Sequence, residues 1–165
     1  MNPTCRIRLF NVCYNTGKVP VLWAKGVIVP VPKCSSSDPR DPLSYRGITL
    51  SSATYKLYCG VLDCRLREIF ESSDIIYDEQ NGFRKDRNTI DHFLSITSII
   101  ESRKLRKQST FAAFIDFEKT YDTTNRALLF NKLELLGVSS KMIKALRSLY
   151  NNVQSCIKLN GILTD

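Results

Sequence analysis

Asp116 is the residue whose setting most strongly suggests chemistry. It lies in the run FAAFIDF, residues 111–117, in which all the other positions are apolar. Apolar residues on both faces are typical of an interior strand that is covered on both sides. Because a carboxylate is costly to leave unpaired there, we expect Asp116 at the end of the strand, beside a metal ion, a cation or backbone donors. On spacing alone, an ordinary hydrogen-bonded turn between the strand and Asp122 stays open as the alternative.

The basic residues are a second group with chemical potential. The chain has 24 Lys and Arg against 16 Asp and Glu, which gives a formal net charge of +8. Such an excess favours a polyanionic partner, with nucleic acid ahead of a membrane surface. One basic cluster lies in QNGFRKDR, residues 80–87, and another at residues 103–107, at the end of a predicted helix. For both clusters the alternative is solvated charge at a helix end.

Composition narrows the class of protein. The 165 residues are 43% hydrophobic and 24% charged, as in one globular domain or part of a larger one. The six cysteines include no CxxC pair and His92 is the only histidine, so we expect reduced thiols and no zinc site. No apolar run approaches the roughly 20 residues that cross a bilayer, and the residues MNPTCRIRLF lack the long apolar stretch of a signal peptide. We therefore expect an intracellular protein without a membrane partner. The residues distinguish neither nucleus from cytoplasm nor one oligomeric state from another.

The first half of the sequence predicts two helices and a strand. A short helix is expected over residues 4–14. A β-branched run follows it, in which Pro30 and Pro32 favour a short or edge strand. Residues 33–42, rich in Ser, Asp and Pro, predict a loop. From residue 52 to 70, apolar residues recur at steps of three and four, which predicts an amphipathic helix.

The second half predicts three helices and a hairpin besides the strand at Asp116. Asn88 is a good N-cap for a helix that runs to about residue 105. Gly137 ends a leucine-rich helix, and Ser139 can cap the next one. The Asn-Gly pair at 160–161 then predicts a type I′ hairpin between two short strands.

Several segments carry a family resemblance. FIDFEKTYD, residues 114–122, resembles the first catalytic-aspartate motif of the reverse transcriptases of non-LTR (LINE-type) retrotransposons, which runs close to F-x-D-F-x-K-A-F-D. Similar to further blocks of that family, and in the same order, are VPVLWAKGVIVPVPK (19–33), YRGITLSS (45–52), QNGFRKDRNTID (80–91) and LNG (159–161). The resemblance covers about residues 9–165, and ordered blocks are far more specific than any one of them.

The resemblance implies both a fold and an activity. The fold would be α+β, helix-rich with short strands, as part of a right-hand polymerase. The fingers would span about residues 1–108, and the start of the palm about residues 109–165. The parent protein would be an RNA-directed DNA polymerase, a nucleotidyltransferase with an RNA template, a DNA primer, deoxynucleoside triphosphates and Mg²⁺. Such enzymes use two divalent ions, held by carboxylates, to activate the primer hydroxyl and steady the leaving pyrophosphate.

The resemblance also assigns residue roles around the nucleotide. Asp116 would be the catalytic aspartate and a metal ligand, helped by the backbone carbonyl of Phe117. Tyr121 would lie under the incoming sugar, where its bulk would exclude a 2′ hydroxyl. Lys33 and Arg46 would hold the triphosphate, Lys as a point charge and Arg as a bidentate fork. Outside the family, the ordinary interpretation of Tyr121 is a core aromatic residue. That of Lys33 and Arg46 is solvated surface charge.

The nucleic-acid contacts implied by the resemblance are basic. Arg84, Lys85 and Arg87, with the cluster at residues 103–107, would contact phosphates of the template or the primer. These contacts would position the nucleic acid without reading its sequence.

Three features depart from the family pattern. Thr120 replaces the usual Ala before the aromatic residue, and Gly47 replaces the proline usual after Arg46. The family's second acidic motif, aromatic-x-Asp-Asp, should follow the hairpin, yet these residues contain no Asp-Asp pair. Because one carboxylate cannot organise two ions, we expect the chain to be a fragment that is inactive alone. The alternatives are a non-catalytic nucleic-acid-binding remnant and a decayed element product with no selected function.

Overall fold

The computed structural model describes residues 2–34 and 38–164, in which five consecutive helices separate the first two strands from the last two. The helices are α1 (Pro3–Thr16), α2 (Ala53–Ser72), α3 (Thr89–Leu105), α4 (Thr120–Thr123), α5 (Arg126–Leu135) and α6 (Ser140–Tyr150). The strands are β1 (Lys25–Pro32), β2 (Tyr45–Leu50), β3 (Gln154–Leu159) and β4 (Ile162–Leu163), and short 3-10 helices cover Val21–Ala24 and Pro42–Ser44. This content confirms the mixed helix and strand composition expected from the sequence. Part of the predicted loop, residues 35–37, lies outside the described residues.

The chain forms two compact units. The first consists of the chain up to Ile69 together with the chain from Ala127 onward, and it holds the sheet. The second unit is Phe70–Arg126, which holds α3 and α4. All the buried apolar side chains in the described ranges belong to the first unit. No helix in these ranges combines the length and the apolar content needed to cross a bilayer.

Helix α1 has local signals at both ends. The Asn2 side chain accepts a hydrogen bond from the backbone N–H of Thr4 at 3.1 Å, and Pro3 occupies the first turn. At the other end Gly17 adopts φ +64°, and a Cβ there would lie 2.6 Å from the side chain of Lys144 on α6. The positive φ favours glycine at this position, whereas the flexible Lys144 side chain could move away from a Cβ.

The sheet has the strand order β2-β1-β3-β4. Strand β1 pairs antiparallel with β2 and parallel with β3, and β3 pairs antiparallel with β4. The β3–β4 turn places Asn160 at φ 50° and Gly161 at φ 86°. Two positive φ values are what a type I′ turn requires, so the predicted hairpin is confirmed.

The sequence-based prediction that β1 is a short or edge strand is wrong. It is eight residues long and lies between two neighbours. Its pairing with β3 ends at Ile28, whereas its pairing with β2 continues to Pro32. The N–H of Lys33 donates to the carbonyl of Ser44, and so points toward β2. Because the direction of the backbone nitrogens alternates along a strand, those of Pro30 and Pro32 point away from β2, toward the edge of β1 that is no longer paired with β3. The prolines therefore interrupt no ladder hydrogen bond.

Helix α2 packs its predicted apolar face into an aromatic cluster. Tyr58 and Leu62 are each 1% exposed. The Tyr58 ring centroid lies 5.3 Å from that of Phe10 on α1 and 5.3 Å from that of Trp23. Helix α6 adds Met142 to the same buried set. Such aromatic contacts bury large apolar areas, which makes this cluster the core of the first unit.

Helix α3 forms by capping rather than by packing. Asn88 accepts a hydrogen bond from the N–H of Ile90 at 2.7 Å, and its own N–H donates to the Asp91 carboxylate at 2.7 Å, a capping box. The helix bounds match the prediction, yet no described residue of α3 is buried. Phe93 on its apolar side is 67% exposed. The capping residues of α3 therefore predict where the helix begins, but not whether its apolar side is buried.

The predicted interior strand at residues 111–117 is wrong. This segment has no regular secondary structure and lies outside the sheet. Its apolar side chains are exposed, with Phe111 at 95% and Phe114 at 87%. A strand needs neighbours for its backbone groups, and in the described chain this segment has none.

Candidate nucleotide and nucleic-acid site

The β1–β2 hairpin brings together Lys33 and Arg46. Arg46 lies opposite Val31 in the antiparallel register. The N–H of Lys33 bonds the carbonyl of Ser44 at 2.9 Å, which extends this register one step further. Lys33 and Arg46 are thus diagonal neighbours on one face of the hairpin, at a separation of roughly 7–8 Å between their Cα atoms.

Both side chains of this pair are available for a ligand. Lys33 and Arg46 are exposed, and neither forms an ion pair with a residue in the described ranges. Two cations on one face of a hairpin suit an anion with several oxygens, because Arg offers a planar fork and Lys a compact charge. The structure therefore places these two predicted residues side by side.

Three threonine hydroxyls organise the turn that follows Asp116. The Thr120 hydroxyl donates to the carbonyl of Phe117 at 3.0 Å, and the Thr124 hydroxyl donates to the carbonyl of Thr120 at 2.7 Å. Lys119 begins the short helix α4 in the left-handed region, at φ 49°. The Thr123 hydroxyl also donates to the Lys119 carbonyl, at 3.1 Å. This exposed turn is held by its own hydrogen bonds, from these hydroxyls and from the backbone N–H groups of Asp122 and Thr123 to the Lys119 carbonyl.

The donors at Asp116 fit a hard cation only in part. A carboxylate and the Phe117 carbonyl are oxygen ligands of the kind that Mg²⁺ takes. The Phe117 carbonyl already accepts the Thr120 hydroxyl, and among the described residues no three acidic, Cys or His side chains are grouped as a metal site. The Asp116 carboxylate and the Phe117 carbonyl could thus supply only part of the ligands of a magnesium ion. The assignments of Asp116 and Phe117 stay predictions.

Tyr121 lies on α4, with its side chain 79% exposed. The structure thus rules out burial in a core for this residue, which was its ordinary interpretation outside the family. An exposed ring five residues after Asp116 is free to stack on a ligand.

Arg84 has protein partners that the sequence did not reveal. Its guanidinium donates to the Glu71 carboxylate through both Nε and Nη2, at 3.1 and 2.7 Å, and through Nη1 to the carbonyl of Tyr77 at 3.1 Å. Asp78 lies 3.7 Å away. The hydrogen bond to Glu71 raises the pKa of Arg84 above its already high usual value. Arg84 thus ties the end of α2 to the segment before α3, and a direct phosphate contact by Arg84 stays a prediction.

The neighbouring basic residues are more open. Arg87 donates to Asp78 at 2.8 Å and is exposed, and Lys85 is exposed without an ion pair in the described ranges. In the cluster at 103–107, Arg103 donates to the carbonyl of Ser109 at 3.0 Å. The acidic partners Glu71 and Asp78 were missed from the sequence, because pairings across 13 and 9 residues leave no periodic signal.

The comparisons with known proteins identify the family of this chain. A family model described as "Reverse transcriptase (RNA-dependent DNA polymerase)" matches residues 31–162. The chain belongs to this reverse transcriptase family. The match includes Lys33, Arg46, Asp116 and Tyr121.

Relatives among curated proteins come from non-LTR retrotransposons. The chain is 21% identical over 157 residues to the "Transposon TX1 uncharacterized 149 kDa protein" of Xenopus laevis, covering 95% of this chain and 12% of that protein. It is 27% identical over 128 residues to a "Probable RNA-directed DNA polymerase from transposon BS" of Drosophila melanogaster, covering 78% and 14%. It is 26% identical over 122 residues to the "Retrovirus-related Pol polyprotein from type-1 retrotransposable element R2" of Popillia japonica, covering 74% and 16%. The chain therefore spans only 12% to 16% of the length of these relatives.

Proposed function

We propose that this chain provides the fingers and the beginning of the palm of an RNA-directed DNA polymerase from a non-LTR retrotransposon. The fingers would span about residues 1–108 and the palm would begin at about residue 109. The substrates would be an RNA template, a DNA primer and deoxynucleoside triphosphates. Family membership supports this proposal, and so do the 27% and 26% identities to relatives named as a polymerase and a Pol polyprotein.

The diagonal placement of Lys33 and Arg46 on the β1–β2 hairpin is the observation that carries the proposal. Two cations that form no ion pair with a described residue lie on one face of the β1–β2 hairpin, an arrangement that suits a polyphosphate. Arg46 would grip two oxygens of one phosphoryl group, and Lys33 would neutralise the charge of the next.

For Asp116 and Tyr121 we propose the roles that the family pattern gives them. When bound, Mg²⁺ would neutralise triphosphate charge and favour the ionised primer hydroxyl. Asp116 would hold that ion with the Phe117 carbonyl, and the exposed ring of Tyr121 would contact the sugar. Lys85 and Arg87 would contact phosphates of the template or the primer.

Equilibrium dialysis with radiolabelled dTTP and MgCl₂ tests the triphosphate site. We expect Lys33→Ala and Arg46→Ala each to weaken dTTP binding by about tenfold or more, since each removes a charge-assisted hydrogen bond. Lys25→Ala is the matched control, because Lys25 is an exposed lysine at the opposite end of β1. Equal losses in all three variants, or no binding by the unaltered chain, would contradict the assignment.

A second candidate function is nucleic-acid binding without chemistry. The net charge of +8 and the exposure of Lys85 and Arg87 favour it. Its signature is salt-sensitive binding of an RNA/DNA hybrid that survives Asp116→Ala, together with the absence of dTTP binding.

A further inference from the structure

Two cations converge on the ring of Tyr14. The Arg65 guanidinium carbon lies 4.8 Å from the ring centroid, and the Lys141 ammonium lies 5.1 Å from it. Tyr14 is on α1, Arg65 on α2 and Lys141 on α6, so three helices of the first unit contribute one residue each. We call these three residues the Tyr14 cluster. Cation–π attraction holds each charge near the ring.

The two charges of the Tyr14 cluster have no counter-ion in the described chain. Arg65 and Lys141 are exposed and form no ion pair with a described residue. The nearby carboxylate of Asp63 is bound to Arg67 at 2.8 Å instead. The two ring distances keep the cations within about 10 Å of each other, where like charges repel unless an anion neutralises them. A cluster of this kind is therefore poised for an anion.

We propose that the Tyr14 cluster binds the phosphate backbone of the RNA/DNA hybrid, as a contact separate from Lys85 and Arg87. A nucleic-acid strand presents one phosphate for roughly every 3.4 Å of helix axis, so neighbouring phosphates suit two cations at this separation. A guanidinium near an aromatic ring keeps its in-plane N–H donors for phosphate oxygens. This inference rests on the proposed function, since it takes the hybrid as the partner.

Charge favours nucleic acid over an acidic protein as the occupant. The chain as a whole carries +8, and its family polymerises nucleic acid. Ile7 and Val61 beside the cluster are exposed, at 61% and 38%, so it is the two unneutralised charges, and no lack of apolar surface, that favour nucleic acid. The cluster would position the hybrid without reading its sequence.

Fluorescence anisotropy with a labelled RNA/DNA hybrid tests this contact over a range of KCl concentrations. For the double variant Arg65→Gln/Lys141→Gln we expect the slope of log K against log salt to fall in magnitude by about two, because two phosphate contacts are lost. The control Lys56→Gln/Lys132→Gln removes the same charge from α2 and α5 and should leave the slope unchanged. Trp23 fluorescence and circular dichroism verify that each variant is folded. Tyr14→Phe keeps the ring and should bind as the unaltered chain does.

The outcomes separate the two proposals. If both double variants change the slope equally, the Tyr14 cluster is not a phosphate contact, while the polymerase proposal stands. Weakened binding of polyglutamate with unchanged binding of the hybrid would assign the cluster to an acidic protein and overturn the inference. If the unaltered chain binds no hybrid, the inference and the proposed function both fail.

Discussion

Tyr58 shows how a single residue can be essential to packing and poorly satisfied at the same time. Its ring lies between Phe10 and Trp23 in the core of the first unit. Its hydroxyl, although buried, has no hydrogen-bond partner in the described chain. An unsatisfied buried hydroxyl costs free energy, and burial also raises the pKa of Tyr58 from 10.0 to about 12.

Tyr58→Phe should therefore stabilise the protein. We expect the free energy of unfolding at neutral pH to rise by about 1 kcal/mol, since the ring stays and the unsatisfied group is removed. Chemical denaturation monitored by Trp23 fluorescence measures this change. Tyr121→Phe, at a side chain 79% exposed, is the control and should change nothing. A loss of stability in Tyr58→Phe would show that the hydroxyl has a partner.

The same residue sets an alkaline limit on stability. Between pH 10 and about 12 the unfolded chain loses the Tyr58 proton while the folded chain keeps it. The free energy of unfolding should therefore fall as pH rises through this range, by about 2 kcal/mol for this residue. In Tyr58→Phe the fall should be smaller. Tyr55, whose pKa burial also raises to about 12, contributes equally in both proteins.

At the scale of elements, local chemistry accounts for most of what the sequence predicted. The caps at Asn88 and Ser139, the stop at Gly137 and the turn at residues 160–161 all depend on neighbouring residues. The failure at 111–117 is of another kind, because a strand exists only with partners, and its apolar pattern says nothing about which segment pairs with it. The edge assignment of β1 failed for the same reason, since β3 is distant in sequence.

Helix α3 is the element in which the contribution of an N-cap to helix stability can be tested most directly. We expect Asn88→Ala to destabilise the helix by about 1 kcal/mol, because the N-cap side chain satisfies the N–H of Ile90 and α3 has no buried residue to compensate. Hydrogen exchange of the α3 amides measures the loss. Glu101→Ala, within the same helix and exposed, is the control. Unchanged protection in Asn88→Ala would mean that packing, rather than capping, holds α3.

At the scale of the whole molecule, the two units differ in what stabilises them. The first has an aromatic core, whereas the second exposes the apolar side of α3 and the segment 111–117. Lys33 and Arg46 lie in the first unit, and Asp116 and Tyr121 in the second. The sequence identified all four residues through the family pattern. The sequence could not show that Lys33 and Arg46 are diagonal neighbours, because that placement depends on the strand register. It could not show the partners of Arg84 either, because they are distant in sequence.

The expectation that this chain has no polymerase activity on its own stays a prediction. Of the carboxylates that the family places around its metal ions, the 165 residues hold Asp116 and no Asp-Asp pair. Binding, rather than turnover, is therefore the property by which the proposed function is best judged.

The most direct test is whether the chain couples its nucleotide to its template. A labelled RNA/DNA primer–template is titrated with the protein in MgCl₂, with the complementary deoxynucleoside triphosphate, with a mismatched one, or with none. We predict that the complementary nucleotide alone tightens hybrid binding, and that Lys33→Ala and Arg46→Ala abolish this effect while hybrid binding without nucleotide persists. If the hybrid binds equally well under all three conditions, the chain is a nucleic-acid-binding protein without a polymerase nucleotide site, and the central proposal is wrong.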